Sequence, residues 1–349
     1  MLLRRFTPCA RLVYHSHKNR FSKDIQRSIL LVGTLDYNAV RTASSHIVHP
    51  FGKFVFEGPG SVNVAPVSPQ ESPNMDKCTI SCGGDGTGWS VIASEDTCSI
   101  TSNSKEKTSD TWNVHLPIKY DVEVRSAAAV SVSGMECSRA AVNASENVTL
   151  TAVRAGHVTV STPAAVRVNK LLLGNATLEA EEVDSSVARL QGQTVTVSAR
   201  SRCHLSDIYA DKARLEVRSA DLRVGTIHGD ATVTAAGEGE VVIGGVDGSV
   251  SVSAPAAAVR CHISRLSADS RLSCGRSVQL SLAPGVGCRL QVRGPPPELD
   301  PRLGAASAGA GGTAEVAVAG GGPLLLLESP VAARVTLQDW AAAVAGWAR

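Results

Sequence analysis

The chain has 349 residues, 43% apolar but only 4% aromatic, with a net charge of +2. That length accommodates one extended domain or two small ones. So aliphatic a composition offers no aromatic platform for stacking bases or sugars, and so balanced a charge offers no basic face for nucleic acid.

Arg4, Arg5, Arg11, Lys18, Arg20 and Lys23 all precede the first acid, Asp24, with Leu2, Leu3, Phe6, Leu12 and Val13 among them. A basic, amphipathic, acid-free start is the composition of a mitochondrial transit peptide, expected over 1–40. Without those six cations the net charge becomes −4, so the positive charge belongs to the address. A secretory signal would need an apolar run of roughly 7–15 residues after the first basic cluster; Ile29–Val32 is too short and too late. No segment reaches the ~18 apolar residues of a spanning helix. The expected compartment is the mitochondrial matrix.

Residues 45–115 predict short strands split by Gly, Pro and Ser turns: Phe54-Val55-Phe56, Val62 with Val64, Cys78-Ile80-Cys82, Trp89 to Ile92, Cys98 with Ile100, and Trp112 with Val114. This region reads as a β cap, with an exposed turn at 103–110.

Over 116–293 an apolar ladder sets in. Met135, Val153, Leu171, Leu190, Ile208, Ile227, Val246 and Leu266 recur at gaps of 18, 18, 19, 18, 19, 19 and 20. Three residues earlier stand Val132, Leu150, Val168, Val187, Leu205, Val224, Ile243 and Ile263. Five and seven residues after the first anchors come Ala140 and Val142, Val158 and Val160, Ala176 and Leu178, Val195 and Val197, Ala213 and Leu215. After Ile227 and Val246 the pair comes one residue sooner, as Ala231 and Val233, then Val250 and Val252. Each unit is two short strands around a polar corner, and corners carry Gly156, Gly174, Gly229, Gly248, Asp211, Asp230 and Asp269. A unit of about 19 residues cannot bury a face alone but can when stacked on its neighbours. The expected fold is therefore all-β, a parallel solenoid of about eight rungs. An antiparallel sandwich explains the alternation but not the matched spacing.

From 294 to 334 the chain is rich in Gly, Ala and Pro, and Pro295-Pro296-Pro297 ends the last strand before it. Residues 335–349 predict a short capping helix. Thr336-x-x-Asp339 has capping-box form, and Trp340, Val344 and Trp347 share one helical face expected to lie across the final rung.

Several stretches resemble the adhesin-type family of repeating β proteins. Val-Gly-Thr-Ile-His-Gly-Asp-Ala-Thr-Val (224–233) and Ile-Gly-Gly-Val-Asp-Gly-Ser-Val-Ser-Val (243–252) have its strand-pair form. Leu-Pro-Ile-Lys-Tyr-Asp-Val-Glu-Val (116–124) is similar to the strand that opens its repeats. His49-Pro50-Phe51-Gly52-Lys53-Phe54 and Val-Thr-Leu-Gln-Asp-Trp (335–340) resemble the flanks of its animal member, so the likeness spans roughly 45–345. The resemblance implies a right-handed β-solenoid and no established catalytic residues; the Ala- and Gly-rich C-terminal third departs from the pattern.

Chemistry-bearing residues do not converge in the sequence. Cys78-x-x-x-Cys82 lacks a second pair at zinc spacing, and Cys203 and Cys261 fall on the inward parity as small hydrophobes. His204 and His262 lie three rungs apart, His228 follows its anchor too far from either to share a metal or proton, and His115 and His157 have no evident partner, so lone surface histidines are expected. Glu179, Glu181, Glu182 and Asp184 cluster between rungs, where acids solvate a corner more readily than they pair for acid–base work. Asn143, Asn147 and Asn175 head glycan sequons. No nucleotide-binding motif is present. No catalytic, cofactor or metal residue is assigned. The expectation is a non-enzymatic mitochondrial scaffold or protein-interaction surface. The alternatives are a secreted adhesin-like glycoprotein and a β-helix carbohydrate-active enzyme, the last requiring that activity depend on Glu181 or Glu182.

Overall fold

Val, Ile, Leu and Ala alternating with Ser, Thr, Arg and Glu suit extended backbone with one dry and one wet side. The computed structural model of the chain is accordingly built almost wholly of strands. It describes residues 43–84, 88–102, 108–303, 307–308 and 313–347. The transit-peptide expectation for 1–40, Cys9, and most of the turn expected at 103–110 lie outside them.

The chain opens with β1 (Ala43–Ile47), β2 (Lys53–Gly58), β3 (Ser61–Pro66), β4 (Lys77–Cys82), β5 (Trp89–Ala93), β6 (Thr97–Ser102) and β7 (Thr111–Leu116). The repeats follow as β8 (Asp121–Ser126), β9 (Val130–Ser133), β10 (Glu136–Ala144) and β11 (Val148–Ser161). They continue through β12 (Ala165–Val217), β13 (Ala220–Ala235), β14 (Gly239–Ala254), β15 (Ala257–Leu266) and β16 (Ser270–Cys274). Last come β17 (Val278–Leu282), β18 (Cys288–Arg293), β19 (Glu298–Leu299), β20 (Ser307–Ala308), β21 (Thr313–Val318), β22 (Leu324–Glu328), β23 (Arg334–Leu337) and α1 (Trp340–Trp347).

The all-β expectation is met, and the sheet is mixed. Through the repeats the pairing is parallel: Val142 lies beside Val160, Leu215 beside Val233, Val233 beside Val252, and Val252 beside Leu272. Strands before each anchor form one face and strands after it a second, with a dry aliphatic interior between. The pairs that follow the anchors, from Ala140 and Val142 to Val250 and Val252, are all buried as expected.

At three of the four face ends the pairing turns antiparallel. β1 runs against β4 and β4 against β7; β5 runs against β6; β18 runs against β21 and β21 against β20. A sheet edge is a template for further copies, and these three ends finish on the short strands β1, β5 and β20. Trp89 and Trp112 meet edge to face near the N-terminal end, ring centroids 5.2 Å apart, and the Trp89 indole N–H donates to Asp110 at 2.9 Å.

The order of strands near the ends departs from chain order. β2 sits between β6 and β8, and β3 between β7 and β9, so residues 53–66 are an inner layer and not part of an outer cap. At the other end β22 slips between β16 and β18, and β23 between β17 and β19.

The corners break simple counting. Thr151 pairs with Asn169 but Val153 with Leu172, so Leu172 fills the interior and Leu171 is half-buried. The lower rung spends only Ala152 on this corner and the upper one spends Lys170 and Leu171; both Ala152 (φ 53°) and Lys170 (φ 68°) turn through left-handed backbone. Val187 is 76% exposed, and Ala188 takes the buried place. In the last repeat Val246 pairs with Ile263, and Ile243 with Cys261, leaving Leu266 only partly covered. Helix α1 also differs from expectation. It packs on β14 and β15, not across the final rung. Asp339 caps it, accepting from the Ala342 N–H at 2.7 Å, while Thr336 belongs to β23 and donates its hydroxyl to the Leu280 carbonyl. The side chains of Val344 and Trp347 lie outside the described residues.

Candidate functional site

In-register parallel strands place equivalent residues of neighbouring rungs about 4.8 Å apart. Along the corner after the anchors this stacks unlike groups into one ladder. The Arg189 guanidinium lies over the Tyr209 ring, 4.7 Å from its centroid. Tyr209 pairs in register with His228, and their rings stack at 4.2 Å and 9°. His228 pairs with Asp247, Nδ1 lying 3.3 Å from Oδ2. Asp247 pairs with Arg265, whose Nε donates to the other carboxylate oxygen.

The ladder can form because the backbone beside it is stripped to glycine. A Cβ on Gly229 would stand 1.8 Å from the Ala210 carbonyl oxygen, and one on Gly192 would stand 2.2 Å from that of Gly174. Gly229 also needs φ 114°, which an L side chain rarely adopts. The close approach leaves an open trough of about 590 Å³ along the corner, lined among others by Gln191, Gln193, Tyr209, Asp211 and His228. Asn175 steadies its floor, its side-chain oxygen accepting from the N–H groups of Gln193 and Thr194.

The groups of this ladder are engaged with one another. Tyr209 has Arg189 on one face and His228 on the other, so neither face is free to stack a sugar or a base. The Asp247 carboxylate is shared between His228 and Arg265. What the ladder presents is a line of cation, ring edge, imidazole, carboxylate and cation, one group per rung.

Two histidines expected to be solitary are therefore not. His228 has Asp247, and His204 Nε2 lies 3.4 Å from Asp221 Oδ1. Asp221 also takes Arg202 at 3.1 Å. Burial alone would raise the Asp221 carboxyl, but Arg202 and His204 together hold it below the usual carboxylate range. The signal was in the sequence: each carboxylate falls 17 or 19 residues after its histidine, one rung on. His115 and His157 are exposed, as expected.

The acidic cluster does not converge. Glu181 and Glu182 are both half-buried, between the buried Ala180 and Val183. Asp184 accepts from the Ser186 N–H at 3.0 Å, which lowers its carboxyl, with His204 and Arg167 adding to the effect. Among the described residues no group of three or more His, Cys, Asp or Glu side chains gathers for a metal. Cys203 and Cys261 are buried, as their parity implies. Cys78 does not partner Cys82; its sulfur lies 3.3 Å from that of Cys98. Among the described residues neither ring nitrogen of the buried His262 has a hydrogen-bond partner, and nor does the Ser281 hydroxyl in register beside it. A polar cleft of about 190 Å³, lined among others by Ser281, Arg334, Thr336 and Gln338, adjoins them beside α1.

No family model matches the chain, and no curated protein does. Among solved structures it is similar to a candidate cell adhesion protein from Clostridium sporogenes ATCC 15579, 9% identical over 86% of this chain and 100% of that one, TM-score 0.18. It is also similar to a candidate adhesin from Bacteroides fragilis NCTC 9343, 9% identical over 86% of this chain and 98% of that one, TM-score 0.22. Neither superposition is close enough to bear on what this chain does.

Proposed function

We propose that this chain is a non-enzymatic β-solenoid of the mitochondrion, parallel, right-handed and about eight rungs long, serving as a scaffold that holds a partner protein along one corner. The observation that carries this reading is the ladder from Arg189 through Tyr209, His228 and Asp247 to Arg265. Its side chains are held in register beside an open trough, with π-faces and charges already engaged with one another. A polypeptide laid along the corner would meet one group of the ladder about every 4.8 Å. The matrix address rests on the acid-free basic leader.

Proximity labelling in intact cells tests the corner, comparing the native chain with the double variant Tyr209→Ala, His228→Ala. The expected result is loss of a defined set of neighbours from a variant that melts like the native chain. Identical neighbour sets would remove the corner as the binding face.

A secreted or cell-surface adhesin-like glycoprotein is the second reading. It draws on the exposure of Asn143 and Asn147, two sequon asparagines open to modification. Mass measurement of the mature terminus and of sequon peptides separates the two readings. A cut before about Val40 with bare asparagines is expected, and a glycan on Asn143, Asn147 or Asn175 would end the matrix assignment.

A further inference from the structure

Cys78 and Cys98 face each other across the interior from opposite walls. Cys78 lies on β4, in the face that precedes the anchors, and Cys98 on β6, in the face that follows them. Both are 0% exposed, and their sulfurs are 3.3 Å apart. The backbone around them is held by one segment. The Val48 N–H donates to the Asp76 carbonyl at 2.8 Å, two residues before Cys78. The Lys53 N–H donates to the Asp96 carbonyl at 2.8 Å, two residues before Cys98. Tyr120, also fully buried, closes the site, its hydroxyl 3.5 Å from the Glu95 carbonyl. A Cβ on Gly52 would strike that tyrosine ring, so the segment 48–53 and the ring fit against each other.

We infer that Cys78 and Cys98 are a built disulfide site, a covalent staple between the two faces at the N-terminal end of the stack. A disulfide has its sulfurs about 2.05 Å apart, so the two atoms need to close only about 1.3 Å, within reach of small side-chain rotations. β4 and β6 belong to separate ladders. Their ladders run to β1 and β7 on one face and to β2 and β5 on the other. The bond would also close a loop around β5, the edge strand on which Ile92 stands 58% exposed.

The chemistry balances with a disulfide oxidant such as glutathione disulfide. Two S–H bonds break and one S–S bond forms. The two protons and two electrons pass to the oxidant, which leaves as two glutathione thiols. The thiolate of one cysteine attacks the oxidant first, and the second cysteine displaces glutathione from the mixed disulfide. In the closed fold the Cys98 thiol is held far above its ordinary value by its hydrogen bond with Cys78 and by burial, which disfavours the attacking thiolate. The bond therefore forms while the chain folds, before the interior closes, and once buried it resists reduction.

The test uses the full chain refolded from denaturant in a glutathione redox buffer and, separately, under excess reductant. Non-reducing peptide mapping is expected to recover the Cys78–Cys98 cross-link, and thiol titration in denaturant to fall from nine groups to seven. The oxidised chain is expected to melt at least about 5 °C above the reduced one. That difference is expected to vanish in Cys98→Ala, a variant that retains the rest of the wall. Nine free thiols after refolding in the redox buffer, a cross-link between any other pair, or an unchanged redox difference in Cys98→Ala would each overturn the inference. Peptide mapping of the native chain decides even if the variant does not fold. The outcome is independent of the corner ladder, whose variants leave both cysteines in place.

Discussion

At the corner after Asn169 the interior is filled by Leu172, although spacing alone nominates its neighbour Leu171. Truncating the two residues separately measures which one carries the core. Leu172→Ala is expected to cost about 2–5 kcal/mol in urea unfolding, and Leu171→Ala under about 1 kcal/mol. The reverse order would restore the even spacing. His262 makes a second case. Burial holds its imidazole below the ordinary value, with Asp339 opposing. The unfolded chain thus takes up a proton more readily than the folded one, and stability falls as pH drops below about 6.5. Replacing this side chain by leucine removes two buried nitrogens without protein partners. His262→Leu is expected to raise stability by about 1 kcal/mol at neutral pH and to flatten the slope between pH 7 and 5, read by urea unfolding across that range. A loss of stability would mean that those nitrogens are satisfied by bound water.

At the scale of elements, β22 is held by a clamp as well as by its ladders. Its last residue, Glu328, pairs with Arg271 on β16 and with Arg293 on β18 at 3.1 Å, one partner on each flank. Burial on its own would raise this carboxyl. Arg271, with Ser273 and Arg293 behind it, more than offsets that and holds it low. The stabilisation is therefore present above the unfolded value of about 4.3 and is lost as pH falls through the lowered folded value. Both arginines are more than half exposed, so water screens the pairs. Glu328→Gln is expected to cost only about 0.5–1 kcal/mol at pH 7 and to blunt acid unfolding below pH about 4, followed by circular dichroism. The placement of this strand was not legible in the sequence, because the run Leu324 to Leu327 specifies burial and says nothing about which two strands will flank it.

For the whole molecule, the out-of-order layers at both ends act as interlocks. The strands of residues 53–66 and of residues 324–337 each lie between strands far away in sequence, so an end cannot peel off one rung at a time. Deleting 323–349 removes β22, β23 and α1 and opens the seam between β16 and β18 and between β17 and β19. Hydrogen exchange is expected to show lost protection across 270–299 and retained protection across 130–235. Fraying confined to the last few remaining residues would mean that β18 re-docks directly on β16.

The amino-acid sequence by itself determined the all-β class and most inward residues of the repeats, but not those at Leu171, Val187 and Leu266. Side-chain direction along a strand is set locally by a two-residue period, and a unit too short to bury its own face must stack on the next. Only the tertiary structure decided the order of layers at the ends, the residue count through each corner, the meeting of Cys78 with Cys98, and the assembly of Arg189, Tyr209, His228, Asp247 and Arg265 into one ladder. Each of these depends on which distant strands become neighbours and on left-handed turns at Ala152 and Lys170, neither of which a local pattern encodes.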